Sequence, residues 1–456
     1  MSKSGFAIAR ESHKVRKQGV SAVNALQRRR LASMVSHARA ESALYRELYA
    51  ELPDNIDESQ QLPIINKKMM MDRFDEWCTD PNITLAKAQD FIADPARAGA
   101  SFLGRYLLST TSGTSGTRGI FVLDQQSQAV SMALGIIRAS NWYNLNDRLR
   151  ILFRGGRQAF VMATGGHFVG FSGAMQLMRK SWLLRKTMKI FSVHDPLPDL
   201  VSKLNHYDPA VLLGYASVVS MLADEKEAGR LRIDPVLVQP AGESLKANEY
   251  ERIKKAFDCK IGNAYAATEC PFIASSCEHG WMHVDSDWVL LEPVEADYTP
   301  TPAGQTSHTV LVSNLANLVQ PVLRYDLGDS VLMRADPCPC GNELPAIRVQ
   351  GRSGDIVPLI SDNGQQVSIA PLAFSTLFDR IAGIERFQII QTEPAALRIR
   401  LHIGSRAQKE EIWPIVEAEM KRMLAENNLQ NVAIERGSEP PEQSAGGKYR
   451  NVIPLQ

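Results

Sequence analysis

The sequence predicts an α/β protein. A large, multi-sheet N-terminal domain occupies residues 1–350, and a small, mobile C-terminal α/β domain occupies 356–456, joined through a hinge at 351–355. Three observations predict this. Between about residues 100 and 350, short apolar runs alternate with helical stretches, the rhythm of strands buried between helices. A glycine-rich break, Gly351-Arg352-Ser353-Gly354-Asp355, separates that region from about 100 residues that read as a smaller α/β unit. The 456 residues also exceed one ordinary domain of roughly 150.

Taken in order, residues 12–50 read as helical. Val15, Val20, Val23, Leu26, Leu31, Met34 and Val35 recur at helical spacing among Arg, Lys and Gln. The run Arg28-Arg29-Arg30 reads as a solvated helix face. A polar loop follows at Pro53–Gln61. Ile120–Leu123, Ile151–Phe153, Ala159–Met162, Ala210–Leu213, Val236–Val238, Val289–Leu291 and Val310–Val312 read as strands. In the C-terminal part, Phe387–Ile390 and Leu397–His402 read as strands and Trp413–Asn427 as an amphipathic helix. The turn-rich segment 437–447 reads as a mobile loop leading to Lys448.

Composition narrows the function. Lys and Arg number 51 against 50 Asp and Glu, so the net charge of +1 lacks the basic excess of a nucleic-acid binder. No stretch approaches the ~18 consecutive apolar residues that span a bilayer. The charged N-terminus does not resemble a secretory signal. Six cysteines in a chain this long are too few for a disulfide scaffold, so the reading is a cytoplasmic protein with reduced thiols.

The sharpest local signal is Ser109-Thr110-Thr111-Ser112-Gly113-Thr114-Ser115-Gly116-Thr117-Arg118-Gly119. Glycines let backbone approach an anion, and hydroxyls with backbone N–H groups donate to phosphate oxygens. The segment lacks the GxxxxGK-Ser/Thr pattern of the P-loop. A second signal is a split Cys/His pattern, Cys270 to His283 and Cys338-Pro-Cys340-Gly341. Thiolate and imidazole are the usual structural zinc donors. The ligand set it suggests is Cys277, His283, Cys338 and Cys340, with His279 and Cys270 in reserve. Arg154 and Arg157 flank Gly155-Gly156, where they could meet an anion or simply form a solvated turn.

The hydroxyl-rich loop resembles the ATP-phosphate loop of the adenylate-forming superfamily, which includes acyl- and aryl-CoA synthetases, adenylation domains and luciferases. Further motifs follow in that family's order. Ala241-Gly242-Glu243-Ser244-Leu245 is similar to its adenine-lining turn. Ala264-Tyr265-Ala266-Ala267-Thr268-Glu269 is similar to its Tyr-Gly-x-Thr-Glu motif, with Ala266 where glycine is usual. Arg324–Asp329 resembles the ribose-binding motif, Gly351–Asp355 the hinge, and Gly447-Lys448-Tyr449-Arg450 the catalytic-lysine motif. Pro63–Lys67 and Gly165–Gly170 resemble the phenylacetate–CoA ligase-like branch. Other departures from the pattern are Arg118-Gly119 in place of a Pro-Lys type of pair, Gly354 in place of a common hinge aspartate, and Ser361–Val367, unlike the usual post-hinge sequence.

The resemblance implies ATP-dependent activation of a carboxylic acid as an acyl-adenylate, followed by thioester formation with CoA. It also admits transfer to an amine or a separate carrier-protein thiol, or a non-catalytic nucleotide-binding relative. It implies that Ser112, Gly113, Thr114, Ser115, Gly116 and Thr117 hold the β- and γ-phosphates. Gly242, Glu243, Ser244, Ala264 and Tyr265 then bind the nucleotide, Asp329 accepts from the ribose hydroxyls, and Arg352 reaches the ribose or phosphates. Thr268 bonds the α-phosphate, Glu269 holds Mg²⁺, and Lys448 brings a cation to the carboxylate during adenylation. Tyr215 and His167 fall near the acyl pocket or in plain packing positions. The implied cofactors are ATP, Mg²⁺, CoA and structural Zn²⁺; a homodimer is compatible, and neither nucleic acid nor a membrane span is expected.

Overall fold

A computed structural model describes residues 4–56, 58–111, 119–164, 166–243, 247–352, 357–369, 373–374, 377–378, 381, 383–404, 409–442 and 450–455. The chain divides into two compact units, Met1–Leu327 with Leu332–Val349, and Gly328–Val331 with Gln350–Gln456. Among the described residues no helix is long and apolar enough to cross a membrane.

The first unit opens with helices Gly5–Arg16 and Val20–Glu41. They part at Gly19, whose φ of 92° is open to glycine and costly for any other residue. Ser4 caps the first helix by accepting from Ala7 N at 3.3 Å. Leu31, Met34, Val35 and Ala38 share one face and are buried. Arg28 and Arg29 are solvated as expected, but Arg30 is not. Its guanidinium lies 3.3 Å over the Trp288 ring and bonds the Asp287 carbonyl. Arg16 reaches Asp285 at 2.9 Å and Asp287 at 2.5 Å. Burial alone would lower the Arg16 pKa, and the two carboxylates outweigh it and raise it. The N-terminal helices are thereby ionically locked to the 285–288 turn.

The main sheet runs in the order Ala346–Arg352, Met282–Val284, Ala274–Ser276, Ala264–Tyr265, Leu237–Ala241, Val211–Tyr215, Gln158–Met162, Met188–Ser192. The last five of these strands are mutually parallel. Parallel strands need crossovers, and helices Val169–Lys180, Leu197–Tyr207, Ala216–Glu227 and Ala247–Phe257 supply them. Because both sheet faces are covered, Val161, Leu212 and Val238 are fully buried and read as unbroken apolar runs. A three-stranded antiparallel sheet, Val289–Val294, Thr309–Asn314, Val322–Asp326, adds a second layer. The hairpin Tyr106–Thr110 and Ile120–Leu123 belongs to a third.

One expected strand is a helix. Ile151–Phe153 ends helix Leu145–Phe153. The start is fixed by a capping box in which Asn144 and Asp147 exchange side chain-to-backbone hydrogen bonds at 2.8 and 3.0 Å. That local signal outweighs the β-like run, since Leu145, Leu152 and Phe153 point to solvent rather than into a sheet.

In the second unit, strands Ile384–Glu393 and Ala396–Ile403 form a long hairpin. Val452–Ile453 pairs parallel with the first and Ala433–Arg436 parallel with the second. Helix Lys409–Glu426 contributes Val416, Met420 and Leu424 to a core shared with Ile389 and Ile399. Pro414 is the sixth residue of this helix and has no amide to donate to the carbonyl four residues before it.

Candidate active site and metal cluster

Parallel strands deliver their following loops to one edge of a sheet, which is where open α/β sheets bind ligands. Here the carboxyl ends of Val211–Tyr215, Leu237–Ala241 and Ala264–Tyr265 adjoin, through the pairs Tyr215–Ala241 and Ala241–Ala264. The turn Ala241-Gly242-Glu243 and the segment Ala266–Glu269 leave from that edge. Gly242 adopts φ of 74°, a left-handed turn conformation that favours glycine. Ser244 lies outside the described residues.

Glu243 has a structural task. Its Oε2 accepts from Ser217 N at 2.7 Å, in the first turn of helix Ala216–Glu227. A carboxylate there satisfies an open helix amide and complements the helix dipole. Tyr215 ends its strand with its hydroxyl 3.5 Å from Ala163 N, and burial pushes its pKa up. Tyr265 is buried, Ala264 and Thr268 are half-buried, and Glu269 is 6 % exposed. The Tyr325 hydroxyl donates to Glu269 Oε1 at 3.1 Å, and Asn314 Nδ2 donates to the Glu269 carbonyl at 3.1 Å. Sequence reasoning assigned Tyr325 no separate role. Its place between Arg324 and Asp326, in a strand with alternating burial, was the available signal.

The hydroxyl-rich loop joins strands Tyr106–Thr110 and Ile120–Leu123. Ser112, Gly113, Thr114, Ser115, Gly116 and Thr117 lie outside the described residues. The neck of the loop is closed by Thr111 N donating to Gly119 O at 2.9 Å and Gly119 N donating to Thr111 Oγ1 at 2.8 Å. A Cβ at Gly119 would come within 2.8 Å of the Phe121 ring, so the neck of the loop packs closely around glycine. Thr110 N donates to His167 O at 2.7 Å, which ties the neck to the 166–168 turn. His167 itself is fully buried, with Nε2 3.0 Å from Asp94 O.

Arg154 and Arg157 both bind Asp208, the latter through Nη2 at 2.9 Å. They brace a residue held at φ of 47° in a partly exposed cluster of two ion pairs.

In the second unit, Asp329 is buried at the head of strand Asp329–Met333. Arg352 closes strand Ala346–Arg352. Lys448 and the hinge residues Ser353, Gly354 and Asp355 lie outside the described residues. Buried Gln388 holds both ends of the segment that contains Lys448. Its Nε2 donates to Glu442 O and to Arg450 O, each at 3.1 Å.

The Cys/His set comes together in the first unit. Hairpin Ala274–Ser276 and Met282–Val284 turns through Cys277–Gly280, with Gly280 at φ of 72°. His283 pairs with Ser275 and, on its other side, with Ala346. Cys338 and Cys340 approach from the turn that precedes strand Ala346–Arg352. The donor atoms of Cys277, His283, Cys338 and Cys340 all lie within 4.8 Å of one another. Cys277 Sγ is 3.7 Å from Cys338 Sγ, and Cys340 Sγ is 3.2 Å from His283 Nε2. Tetrahedral zinc with Zn–S near 2.3 Å and Zn–N near 2.0 Å requires donor separations of roughly 3.5–3.8 Å; the Cys277–Cys338 pair meets this, and the other donors, the shorter Cys340–His283 contact included, would shift by an ångström or less to close on an ion. His283 Nδ1 lies 2.9 Å from Leu344 O, a contact that requires the proton on Nδ1 and leaves the Nε2 lone pair for a metal. Burial pushes Cys340 up to about 12. Burial also raises Cys338, but the Cys340 amide, the neighbouring thiols and Arg334 outweigh it and the net shift is downward. His279 sits half-exposed at the hairpin tip and Cys270 is buried apart, so neither joins the set.

No family model matches the chain. It is 26 % identical over 265 residues to Protein CapK of Staphylococcus aureus, a match covering 56 % of this chain and 54 % of that protein. The chain thus spans about half the length of the curated relative it matches. Among solved structures, it is similar to 2-hydroxyisobutyryl-CoA ligase in the postadenylation state, with TM-score 0.66, 18 % identity, and coverage of 96 % of this chain and 89 % of that one. It is also similar to the anthranilate CoA ligase AuaEII in complex with anthranoyl-AMP, with TM-score 0.53, 16 % identity, and coverage of 75 % and 64 %. With its sheet order, the loops at the carboxyl edge and these likenesses, the chain has the fold of the adenylate-forming CoA ligases.

Proposed function

We propose that the protein is an AMP-forming carboxylate ligase that activates a carboxylic acid with ATP and transfers the acyl group to CoA. The observation that carries the reading is the grouping of Ala241–Glu243 and Ala264–Glu269 at the carboxyl edge of the parallel strands, with Glu269 buried and oriented by Tyr325. Two anions must meet in such a reaction, so the site must hold the triphosphate still and neutralise its charge.

In this reading the hydroxyl-rich loop cradles the β- and γ-phosphates, and Thr268 bonds the α-phosphate. Glu269 would hold Mg²⁺, which supplies charge neutralisation; a carboxylate suits a hard cation, and Tyr325 fixes the carboxylate plane. Asp329 takes the ribose hydroxyls, Arg352 the ribose or phosphate region, and Lys448 the carboxylate during adenylation. The C-terminal unit serves as a mobile lid on a hinge at 351–355. The likeness to structures holding acyl-AMP, and to 2-hydroxyisobutyryl-CoA ligase with CoA in the thioesterification state, favours CoA as the acceptor over an amine or carrier thiol. Motifs Pro63–Lys67 and Gly165–Gly170 favour the phenylacetate–CoA ligase-like branch. Cys277, His283, Cys338 and Cys340 would hold zinc as a brace between the 274–284 hairpin and the 338–346 turn.

The test is pyrophosphate exchange with a panel of carboxylic acids, followed by product analysis with CoA, amines and carrier proteins. Acid-dependent exchange with CoA-dependent AMP release supports the proposal. Exchange without CoA use, or nucleotide binding without exchange, would replace it.

A further inference from the structure

We propose that helices Leu145–Phe153 and Trp182–Thr187 form a docking face for an anionic bilayer surface, a peripheral contact with no spanning segment. The charge of the chain is unevenly distributed. Residues 148–194 contain nine Lys and Arg and no Asp or Glu, which leaves 42 Lys and Arg against 50 Asp and Glu elsewhere. Arg154 and Arg157 are engaged with Asp208. The other seven cations of the stretch, on these helices and their flanks, are exposed. The bordering acids are matched: Asp147 with Lys260 at 2.6 Å, and Asp195 with Lys203 at 2.7 Å.

The same elements turn apolar side chains outward. Leu145, Leu149 and Leu152 recur at helical spacing on one stripe and are 74, 42 and 70 % exposed, and Phe153 is 84 % exposed. On the second helix Trp182 and Leu183 are 63 and 56 % exposed. The two helices belong to one face. Each leads into a neighbouring parallel strand, with Gln158 opposite Met188, and a Cβ at Gly156 would lie 3.8 Å from Thr187 Cγ2. A cavity beside the second helix is lined by Phe171, Met175, Met178 and Ile190 together with Arg185 and Lys189.

Leu, Phe and Trp flanked by Arg and Lys is the composition of helices that lie in a membrane interface. A second copy is disfavoured. A two-fold interface places a patch against itself, so these cations would face their own duplicates. Protein interfaces are also depleted in lysine at their cores, whereas Lys186 on the second helix and Lys189 just after it are exposed.

The test is co-flotation of the full chain with phosphatidylcholine vesicles, with and without roughly a third phosphatidylglycerol, a charge density that sustains a substantial surface potential. Association with the anionic vesicles alone, lost in ~1 M salt where the screening length is only about 3 Å, is expected. Arg185→Glu/Lys186→Glu should lower partition at least roughly fivefold for each cation removed. Leu152→Ser/Phe153→Ser should weaken it with thermal stability and pyrophosphate exchange unchanged. These side chains are exposed, so folding is spared; Trp182→Phe, a milder change, should remove a blue-shifted emission component seen on vesicle binding. No flotation with anionic vesicles, or equal flotation with neutral ones, overturns the proposal. Loss on charge reversal with no effect of Leu152→Ser/Phe153→Ser would show a purely ionic contact, as with an acidic protein, and also overturns it. So does a dimer without vesicles that the same serine substitutions dissolve.

Discussion

The Tyr325 hydroxyl donates to the Glu269 carboxylate at 3.1 Å, and both side chains are buried. They are 56 residues apart, on a strand of the antiparallel sheet and on the loop leaving the parallel strands. A carboxylate assigned to a cation must present its oxygens in a fixed plane, and this bond fixes it. Tyr325→Phe should therefore keep the fold and slow adenylation. A hydrogen bond to a charged group is worth roughly 1.5–3 kcal/mol, or about ten- to a hundredfold. Pyrophosphate exchange titrated with Mg²⁺ measures it; an unchanged Mg²⁺ dependence would remove Tyr325 from the mechanism.

Lys448→Ala should abolish adenylate formation and spare the reaction of a preformed acyl-adenylate with its acceptor. Adenylation needs a cation where a carboxylate meets a triphosphate, while the second step attacks a carbonyl already activated. Gln388→Leu removes the bonds that Gln388 makes to Glu442 and Arg450, on either side of the same segment. Three neutral bonds to the two ends, at about 1 kcal/mol each, suggest a loss of tenfold or more in exchange, again with the preformed adenylate spared. Equal loss of both half-reactions in either folded variant would contradict the assignment.

Asp329→Ala should weaken ATP binding by about one to two decades, from hydrogen bonds to a charged acceptor worth roughly 1.5–3 kcal/mol. Calorimetric titration of ATP reads the effect directly. Wild-type affinity would show that Asp329 serves only its strand.

Purified protein should contain stoichiometric zinc, and Cys338→Ser should lose it. Structural zinc supplies on the order of 10 kcal/mol of apparent folding free energy, so chelation should lower the melting temperature well before it changes the chemistry. Metal analysis that finds none in the wild type would rule the brace out.

Asp80 should contribute to the acid limb of stability. Burial raises its pKa, but Asn82, Tyr106 and Arg105 outweigh that and hold it down at about 2. The folded value lies below the unfolded one, so the stabilisation is complete above about pH 4 and is lost as pH falls through about 2. Asp80→Asn should leave a shallower acid limb in that window, seen in denaturant midpoints measured against pH. An unaltered slope would show that Asp80 is not selectively stabilised as the carboxylate.

The sequence by itself determined the α/β class. Strands covered on both faces must be apolar throughout, so the segments around Val161, Leu212 and Val238 stand out without an alignment. It also marked the thiol pairs, because tight Pro-Cys and Cys-Gly turns are local. Tertiary structure decided what depends on register and direction. His283 joins the cluster and His279 does not because the hairpin pairs His283 with Ser275 and leaves His279 at the tip. Arg30 is drawn out of an otherwise solvated basic run by Trp288 and Asp287, more than 250 residues away. Glu243 is committed to the amide of Ser217, which no local pattern announces. Ile151–Phe153 shows a different case: an apolar run that reads as a strand ends a helix started by the local Asn144–Asp147 capping box, and only the tertiary structure shows that its apolar side faces solvent. Local chemistry fixes which elements form; partners distant in sequence fix which way each side chain faces and what charge it meets.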